Sequence, residues 1–191
     1  SGKGIPAALF MMISKVLLKS FATMSESASD VLTKANETLC KENNVDMFVT
    51  VWLGILEIST GRLVAANAGH EYPVIKRGQR GFELFKDKHG LVVGGMSGIN
   101  YKEYEIDLAP GDKIFLYTDG VPEATNAGKE LFGTKRMVDA LNKDPDASPK
   151  DILRNVRAAV DEFVKDEEQF DDITMLCLKY KGMEETDNSE I

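Results

Sequence analysis

Cysteine is scarce. Cys40 and Cys177 are the two in the chain, and they lie far apart in unlike settings. They form neither a metal-ligand spacing nor a disulfide framework, so a reducing, cytoplasmic setting is expected. Positive charge is also short: 23 Lys and Arg face 31 Asp and Glu, a net charge of −8. Such a balance excludes a protein that must attract polyanions, so nucleic acids and anionic membranes are not expected partners. Long hydrophobic runs are missing too. The longest near the N-terminus, residues 5–13, falls short of the roughly 20 a bilayer requires, so neither a membrane span nor a signal peptide is expected. There is no initiator Met before Ser1-Gly2-Lys3-Gly4, which suggests a piece of a longer protein. What is present is ample apolar residue, 43% of 191 positions, with 28% charged. That is enough for one core in a chain of single-domain length and too much for a disordered segment.

The periodicities give an order of elements. Over 6–24, Leu9, Ile13, Leu17 and Phe21 recur every four residues with Lys15 and Lys19 on another face, a helical stripe with Pro6 suited to its first turn. A second helix is expected over 30–42, burying Leu32, Ala35 and Leu39, with Ser27 or Ser29 as its cap. The pattern then changes to period two. Met47, Val49, Val51, Leu53 and Ile55 alternate with Phe48, Thr50, Trp52 and Gly54, which predicts a central strand covered on both faces. Further strands are expected at 62–68, 73–76, 82–86, 101–108 and 113–118, separated by turn-forming Ser59-Thr60-Gly61, Arg77-Gly78-Gln79-Arg80-Gly81 and Pro110-Gly111-Asp112. Ser148-Pro149 with Asp151 caps a helix bearing Ile152, Val156, Val160 and Phe163. A last strand covers 173–180, and 181–191 reads as an acidic, frayed tail. Grouped helices and strands without strict alternation predict an α+β layered fold with antiparallel sheets rather than a Rossmann arrangement.

Two acidic sites follow from this order. Asp119 lies just past the end of one apolar strand and Asp171 just before the start of another, so antiparallel pairing of those strands would bring both carboxylates to one sheet edge. Two carboxylates held close repel, and share a proton or bind a hard cation through oxygen, for which Mg²⁺ or Mn²⁺ fits best. The same residues also read as an ordinary Asp-Gly turn and a solvated loop end, and spacing alone does not choose between the two. His70 and His89 have the chemistry of a general acid or base, but neither shows an acidic or thiol partner in sequence, so surface histidines are expected. Ser1–Gly4 before a helix resembles an anion-binding turn, but lacks the G-x-x-x-x-G-K-[ST] pattern of a nucleotide loop.

Several segments together resemble the SpoIIE/RsbU-type bacterial serine phosphatases of the metal-dependent PPM class. Ser1-Gly2-Lys3-Gly4-Ile5-Pro6-Ala7-Ala8 is similar to the second half of that family's Gly-Asp-Val-Ser-Gly-Lys-Gly-x-x-Ala-Ala segment, and Met47-Phe48-Val49-Thr50 to its first central strand. Asn67-Ala68-Gly69-His70 resembles its Asn-Ala-Gly-His turn, with Pro73 following. Gly111-Asp112, then Tyr117-Thr118-Asp119-Gly120-Val121 and Glu123-Ala124, resemble its Gly-Asp…Tyr-Thr-Asp-Gly-Val-x-Glu-Ala segment. Phe170-Asp171-Asp172-Ile173-Thr174 resembles its closing Asp-Asp-x-Thr motif.

The resemblance implies a phosphatase domain over 1–180 with an α/β/β/α sandwich and a two-metal Mn²⁺ or Mg²⁺ site that activates water for in-line displacement. It implies Asp119 and Asp171 as metal ligands, with Asp172, Gly120 and Thr174 supporting them. It also implies a phosphoprotein substrate of the anti-sigma-factor antagonist kind, in sigma-factor or stress signalling. The two N-terminal helices correspond to a movable element on which partners act. Phe10, Met11 and Met12 would then offer a surface to an upstream sensor or coiled-coil domain. In the family an Asp precedes Val-Ser-Gly-Lys-Gly and bridges both metals, and this chain starts after it. The implication is little or no activity for the chain alone, activity in the parent protein, and a raw sheet edge open to homodimerisation or strand exchange. Readings from other classes are a non-catalytic regulatory or docking domain of the same fold and a phosphate- or nucleotide-binding module at Ser1–Gly4.

Overall fold

The computed structural model describes residues 4–42, 47–167 and 171–183. The expectations for Ser1–Gly4 up to Lys3, for Phe170 and for the tail from residue 184 lie outside the described residues. The chain divides into two compact units: residues 1–57, 62–70 and 87–107 form one, and 58–61, 71–86 and 108–191 form the other.

In the first unit, Ile5–Ala22 is α1, Ala28–Glu42 is α2, and Val51–Leu56 (β1), Arg62–Ala68 (β2) and Glu103–Asp107 (β5) make an antiparallel sheet ordered β1-β2-β5. Gly4 precedes α1 at φ +86°, a conformation that a side chain would resist, and Pro6 occupies the first turn as expected. Ser27 caps α2, its Oγ accepting from Asp30 N at 3.1 Å. Leu32, Ala35 and Leu39 of α2 are buried with Ala66 and Ala68 of β2, each leucine contributing about 1.5–3 kcal/mol.

Three expectations are corrected in this unit. First, the packing face of α1 is Phe10, Ser14, Leu17, Leu18 and Phe21. Leu9 and Ile13, assigned to it by four-residue spacing, are 59% and 52% exposed. A strict spacing of four drifts by about 40° per step around a helix of 3.6 residues per turn, so the stripe leaves the partner. Phe10 therefore faces inward, whereas Met11 and Met12 are exposed. Second, β1 starts only at Val51, is partly buried throughout and has β2 as its strand neighbour. Among the described residues it lies at the edge of its sheet; alternating apolar residues on both faces carry no information on how many strands flank a strand. Third, α1 extends past the apolar run at 5–13. Among the described residues it is one helix that is long and apolar enough to cross a membrane by length and composition, although one side packs on the core and Lys15 and Lys19 interrupt the other.

Asn36 of α2 is fully buried and holds the Gly-rich segment at 90–98. Its Oδ1 accepts from Gly94 N at 2.8 Å and its Nδ2 donates to Met96 O at 2.8 Å. Asn36→Leu should cost about 1–3 kcal/mol by stranding the buried Gly94 N–H, measured as a fall in the denaturant midpoint at unchanged slope.

In the second unit, Val74–Lys76 (β3), Phe82–Leu84 (β4), Lys113–Tyr117 (β6) and Met175–Lys179 (β7) form an antiparallel sheet ordered β4-β3-β6-β7. Gly133–Leu141 (α3) and Pro149–Val164 (α4) pack on it, with Met137, Ile152, Val156 and Val160 buried beside Phe115. Ser148 caps α4 as expected, its Oγ accepting from Asp151 N at 3.2 Å. Helix α3, absent from the elements expected from periodicity, is nine residues long and begins with Gly133 after Phe132, with no side-chain cap. In register across β3, β6 and β7 lie Lys76, Lys113 and Lys179. Lys113 is buried and donates to the carbonyls of Pro145 and Ala147 at 2.6 and 2.7 Å. Burial and then the two neighbouring lysines hold its ammonium below the ordinary lysine range.

Candidate active site

β6 is apolar because it runs through the core of its sheet: Lys113, Ile114, Phe115 and Tyr117 are all buried. Its antiparallel partner β7 enters from the opposite direction, with Tyr117 opposite Met175. The residue after β6 and the residues before β7 are therefore forced to the same end of the sheet. The pairing continues past the strands. Thr118 N donates to Thr174 O at 3.0 Å. The Thr118 hydroxyl donates to Asp172 O at 3.1 Å and accepts from Thr174 N at 3.1 Å. Thr118 thus pins the Asp171-Asp172 segment to the end of β6.

Beyond Thr118 the chain reverses. Val121 N reaches Thr118 O at 3.0 Å and Glu123 N reaches Asp119 O at 2.9 Å. Gly120 lies against Asp172: a Cβ there would overlap the Asp172 carbonyl oxygen and stand 2.9 Å from its carbonyl carbon. Asp119, Asp171 and Asp172 are exposed, and Asp171 Oδ1 accepts from Asp172 N at 2.8 Å. Three carboxylates thus occur on two adjoining segments. Their donors are oxygen only, the chemistry suited to a hard divalent cation. Asp119 and Asp171 have the donor type that such an ion takes. Among the described residues no three His, Cys, Asp or Glu side chains stand together as a metal cage, so the set is not closed by these residues alone.

Of the supporting residues, Thr174 acts through its backbone, and its side chain is exposed. Thr118 was not singled out from sequence; its place directly before Asp119, opposite Thr174, was the available signal. The histidines belong to the first unit. His70 N donates to Asn67 Oδ1 at 2.8 Å, closing the Asn-Ala-Gly-His turn, and His70 Nδ1 lies 3.2 Å from Thr50 Oγ1. The expectation that His89 lacks an acidic partner is overturned: its Nδ1 lies 3.3 Å from Asp87 Oδ1. The two residues are only two positions apart, so their spacing in sequence carries the signal. The Asp87 side chain is fully buried, and its Oδ2 accepts from Tyr104 at 2.6 Å and Asn67 at 3.0 Å. Cys40 and Cys177 are both free thiols, and burial pushes Cys177 up to about 11.

The described residues thus form two antiparallel sheets, each flanked by a helix pair, with acidic segments where β6 ends and before β7 begins. The solved SiaA-PP2C domain of Pseudomonas aeruginosa has this fold, with TM-score 0.81 at 22% identity over 95% of this chain and 73% of that one. The expected α+β class with antiparallel sheets is thereby met. Residues 1–181 match the SpoIIE (Stage II sporulation protein E) family, and the chain belongs to it. Among curated relatives, Protein IcfG of Synechocystis sp. (strain ATCC 27184 / PCC 6803 / Kazusa) is 30% identical over 92% of this chain. Phosphoserine phosphatase RsbU of Bacillus subtilis (strain 168) is 29% identical over 94% of it. The chain spans 32% and 53% of the lengths of these two relatives.

Proposed function

We propose that this chain is the catalytic domain of a metal-dependent protein serine/threonine phosphatase acting on phosphoserine of a regulatory protein, such as an anti-sigma-factor antagonist. The observation that carries the reading is the β6–β7 pairing, which draws the Thr118-Asp119-Gly120 and Asp171-Asp172 motifs of a SpoIIE-family chain to one sheet end. Asp119 and Asp171 would hold Mn²⁺ or Mg²⁺, which when bound neutralises charge on phosphoryl oxygens and lowers the pKa of a coordinated water. The protein's part is positional. Thr118 fixes the spacing of the two acidic segments, Gly120 lets them approach, and the exposure of all three aspartates leaves room for a protein substrate. Further oxygen ligands besides these two would be needed to complete the set. The exposed face of α1, with Met11 and Met12, would be available to a sensor or coiled-coil partner. The reading includes a cytoplasmic setting and the open edge of β1 as the place for a second copy.

A non-catalytic docking domain of the same fold is favoured by one observation, the lack of a three-ligand cluster among the described residues. One experiment separates the two. The full-length protein should hydrolyse an aryl phosphate with Mn²⁺ and lose that activity to EDTA, with recovery on adding Mn²⁺ back. No hydrolysis at any Mn²⁺ concentration would favour the docking domain.

A further inference from the structure

Within the second unit, the turn that joins β3 to β4 carries Arg77 and Arg80, both exposed. Among the described residues the arginine ion pairs are those of Arg62, Arg154 and Arg157, which leaves Arg77 and Arg80 without a carboxylate partner. The backbone between them is fixed from below. Gly78, at φ +52°, donates its N–H to Asp112 Oδ1 at 2.8 Å, and its carbonyl accepts from Lys76 Nζ at 2.7 Å. Arg80 N donates to Arg77 O at 2.9 Å and closes the turn. Asp112 and Lys76 are 3% and 4% exposed, and each is held by a second contact: Asp112 Oδ2 accepts from Ala109 N at 3.0 Å, and Lys76 Nζ pairs with Asp146 Oδ1 at 2.9 Å. Two buried charged side chains thus hold one exposed glycine, and with it the arginines on either side. A recess of about 180 Å³ beside the arginines is walled by Ile75, Leu84 and Phe85, with Glu83 as the acidic residue in its lining. Because β3 pairs antiparallel with β6, with Lys76 opposite Lys113, the turn lies at the sheet end where β6 begins. Asp119 lies past the other end, roughly 20 Å away at about 3.3 Å per residue.

We propose that Arg77 and Arg80 form a docking site for an acidic segment of the phosphoprotein substrate, remote from the phosphoserine. The inference rests on the phosphatase reading above. Charge complementarity selects the occupant. The chain carries a net charge of −8, and Asp119, Asp171 and Asp172 stand exposed at the far end of the sheet, so an acidic segment is repelled there and attracted to two unpaired guanidiniums. Each guanidinium offers a planar fork of donors that takes a carboxylate through two hydrogen bonds. The fixed backbone lowers the ordering cost of binding. Glu83 offsets one of the two positive charges, so a segment whose several carboxylates reach both arginines gains more than a single small anion does. Contacts made this far from the reacting atoms are equal in the ground and transition states, so they lower KM and leave kcat alone.

The test uses the full-length protein, Mn²⁺ and two synthetic phosphoserine peptides that carry a Glu block or a Gln block about eight residues from the phosphoserine, with an aryl phosphate in parallel. About eight extended residues span roughly 26 Å, enough to reach from Asp119 to the turn. The expected result at low salt is a KM for the Glu peptide about tenfold below that for the Gln peptide at equal kcat, with the gap closing as ionic strength rises. Arg77→Ala combined with Arg80→Ala should abolish the gap and lower the ratio of Glu-peptide to aryl-phosphate kcat/KM about tenfold. Arg77→Lys combined with Arg80→Lys, which keeps the charge and loses the fork, should retain part of the gap. Equal KM for the two peptides alongside good aryl-phosphate hydrolysis would overturn the docking site and leave the phosphatase reading intact, as would a gap that survives both alanine substitutions. A gap that emerges only when residues 184–191 are removed would assign the turn to the acidic residues of that segment, Glu184, Glu185, Asp187 and Glu190, and overturn the substrate as its occupant. Loss of aryl-phosphate hydrolysis in the wild type overturns both.

Discussion

Asp119→Asn and Asp171→Asn, made one at a time in the full-length protein, should each reduce Mn²⁺-dependent aryl-phosphate hydrolysis by about 10³-fold. Asn keeps the size of Asp and one oxygen but removes the negative charge a hard cation needs. Metal-borne charge stabilisation is worth several kcal/mol, and about 4 kcal/mol corresponds to three orders of magnitude in rate. Fold should be spared. Both side chains are exposed, and the contact of Asp171 with its neighbour, Asp172 N at 2.8 Å, is one that an Asn Oδ1 can also accept. Away from metal, removing one exposed negative charge from a chain of net charge −8 should leave the thermal midpoint nearly unchanged. Asp172→Asn, if it acts only through hydrogen bonds to a ligand, should lose roughly 10–100-fold. Raising Mn²⁺ should recover part of the activity of the Asp119 and Asp171 variants if the lost charge weakens metal affinity. Turnover by both variants at the wild-type rate would remove these carboxylates from the catalytic site and leave the β6–β7 junction with a structural role only.

That the two acidic segments lie at one end of their sheet was legible because it depends on strand direction alone. Two apolar segments, one ending before an Asp-Gly and one starting after an Asp-Asp, bring those motifs to the same sheet end if the strands pair antiparallel, and the strands do pair so. The caps Ser27 and Ser148 were legible for a similar reason, being local hydrogen bonds written in short sequence. Features set by the third dimension were not. The rotation of α1 depends on which of its two apolar faces meets the core, and both Leu9 and Phe10 satisfy a hydrophobic criterion. The edge position of β1 depends on what lies beside it. For α3, buried Met137, Ala140 and Leu141 carry the helix against the sheet, although a Gly start and an uncapped first turn give no local start signal. Asn36 reads as a polar position on a helix, yet its burial is satisfied by Gly94 and Met96, some 60 positions away.

Gly120→Ala should lower both stability and activity, unlike the aspartate variants. The added methyl would overlap the Asp172 carbonyl oxygen, with the carbonyl carbon at 2.9 Å and Ile173 N at 3.4 Å. Every one of these atoms is backbone, so no flexible side chain can move aside, and the two segments must separate. That strain costs about 1–3 kcal/mol. Splaying also weakens the two Thr118 hydroxyl contacts, to Asp172 O and Thr174 N at 3.1 Å each, at about 1 kcal/mol apiece. A total of roughly 2–4 kcal/mol should lower Tm by about 5–15 °C for a domain of this size. Because a shift of about 1 Å in a positioned group can cost 10²-fold in rate, Mn²⁺-dependent turnover should fall by roughly that factor at temperatures where the variant is still folded. Thr118→Val separates the two contributions. It removes the hydroxyl contacts without the overlap, so it should cost about 1–2 kcal/mol and less activity than Gly120→Ala. Calorimetry and turnover on both variants decide the point: if Gly120→Ala matches the wild type in Tm and rate, the close approach of these two segments has no part in holding the acidic groups in place.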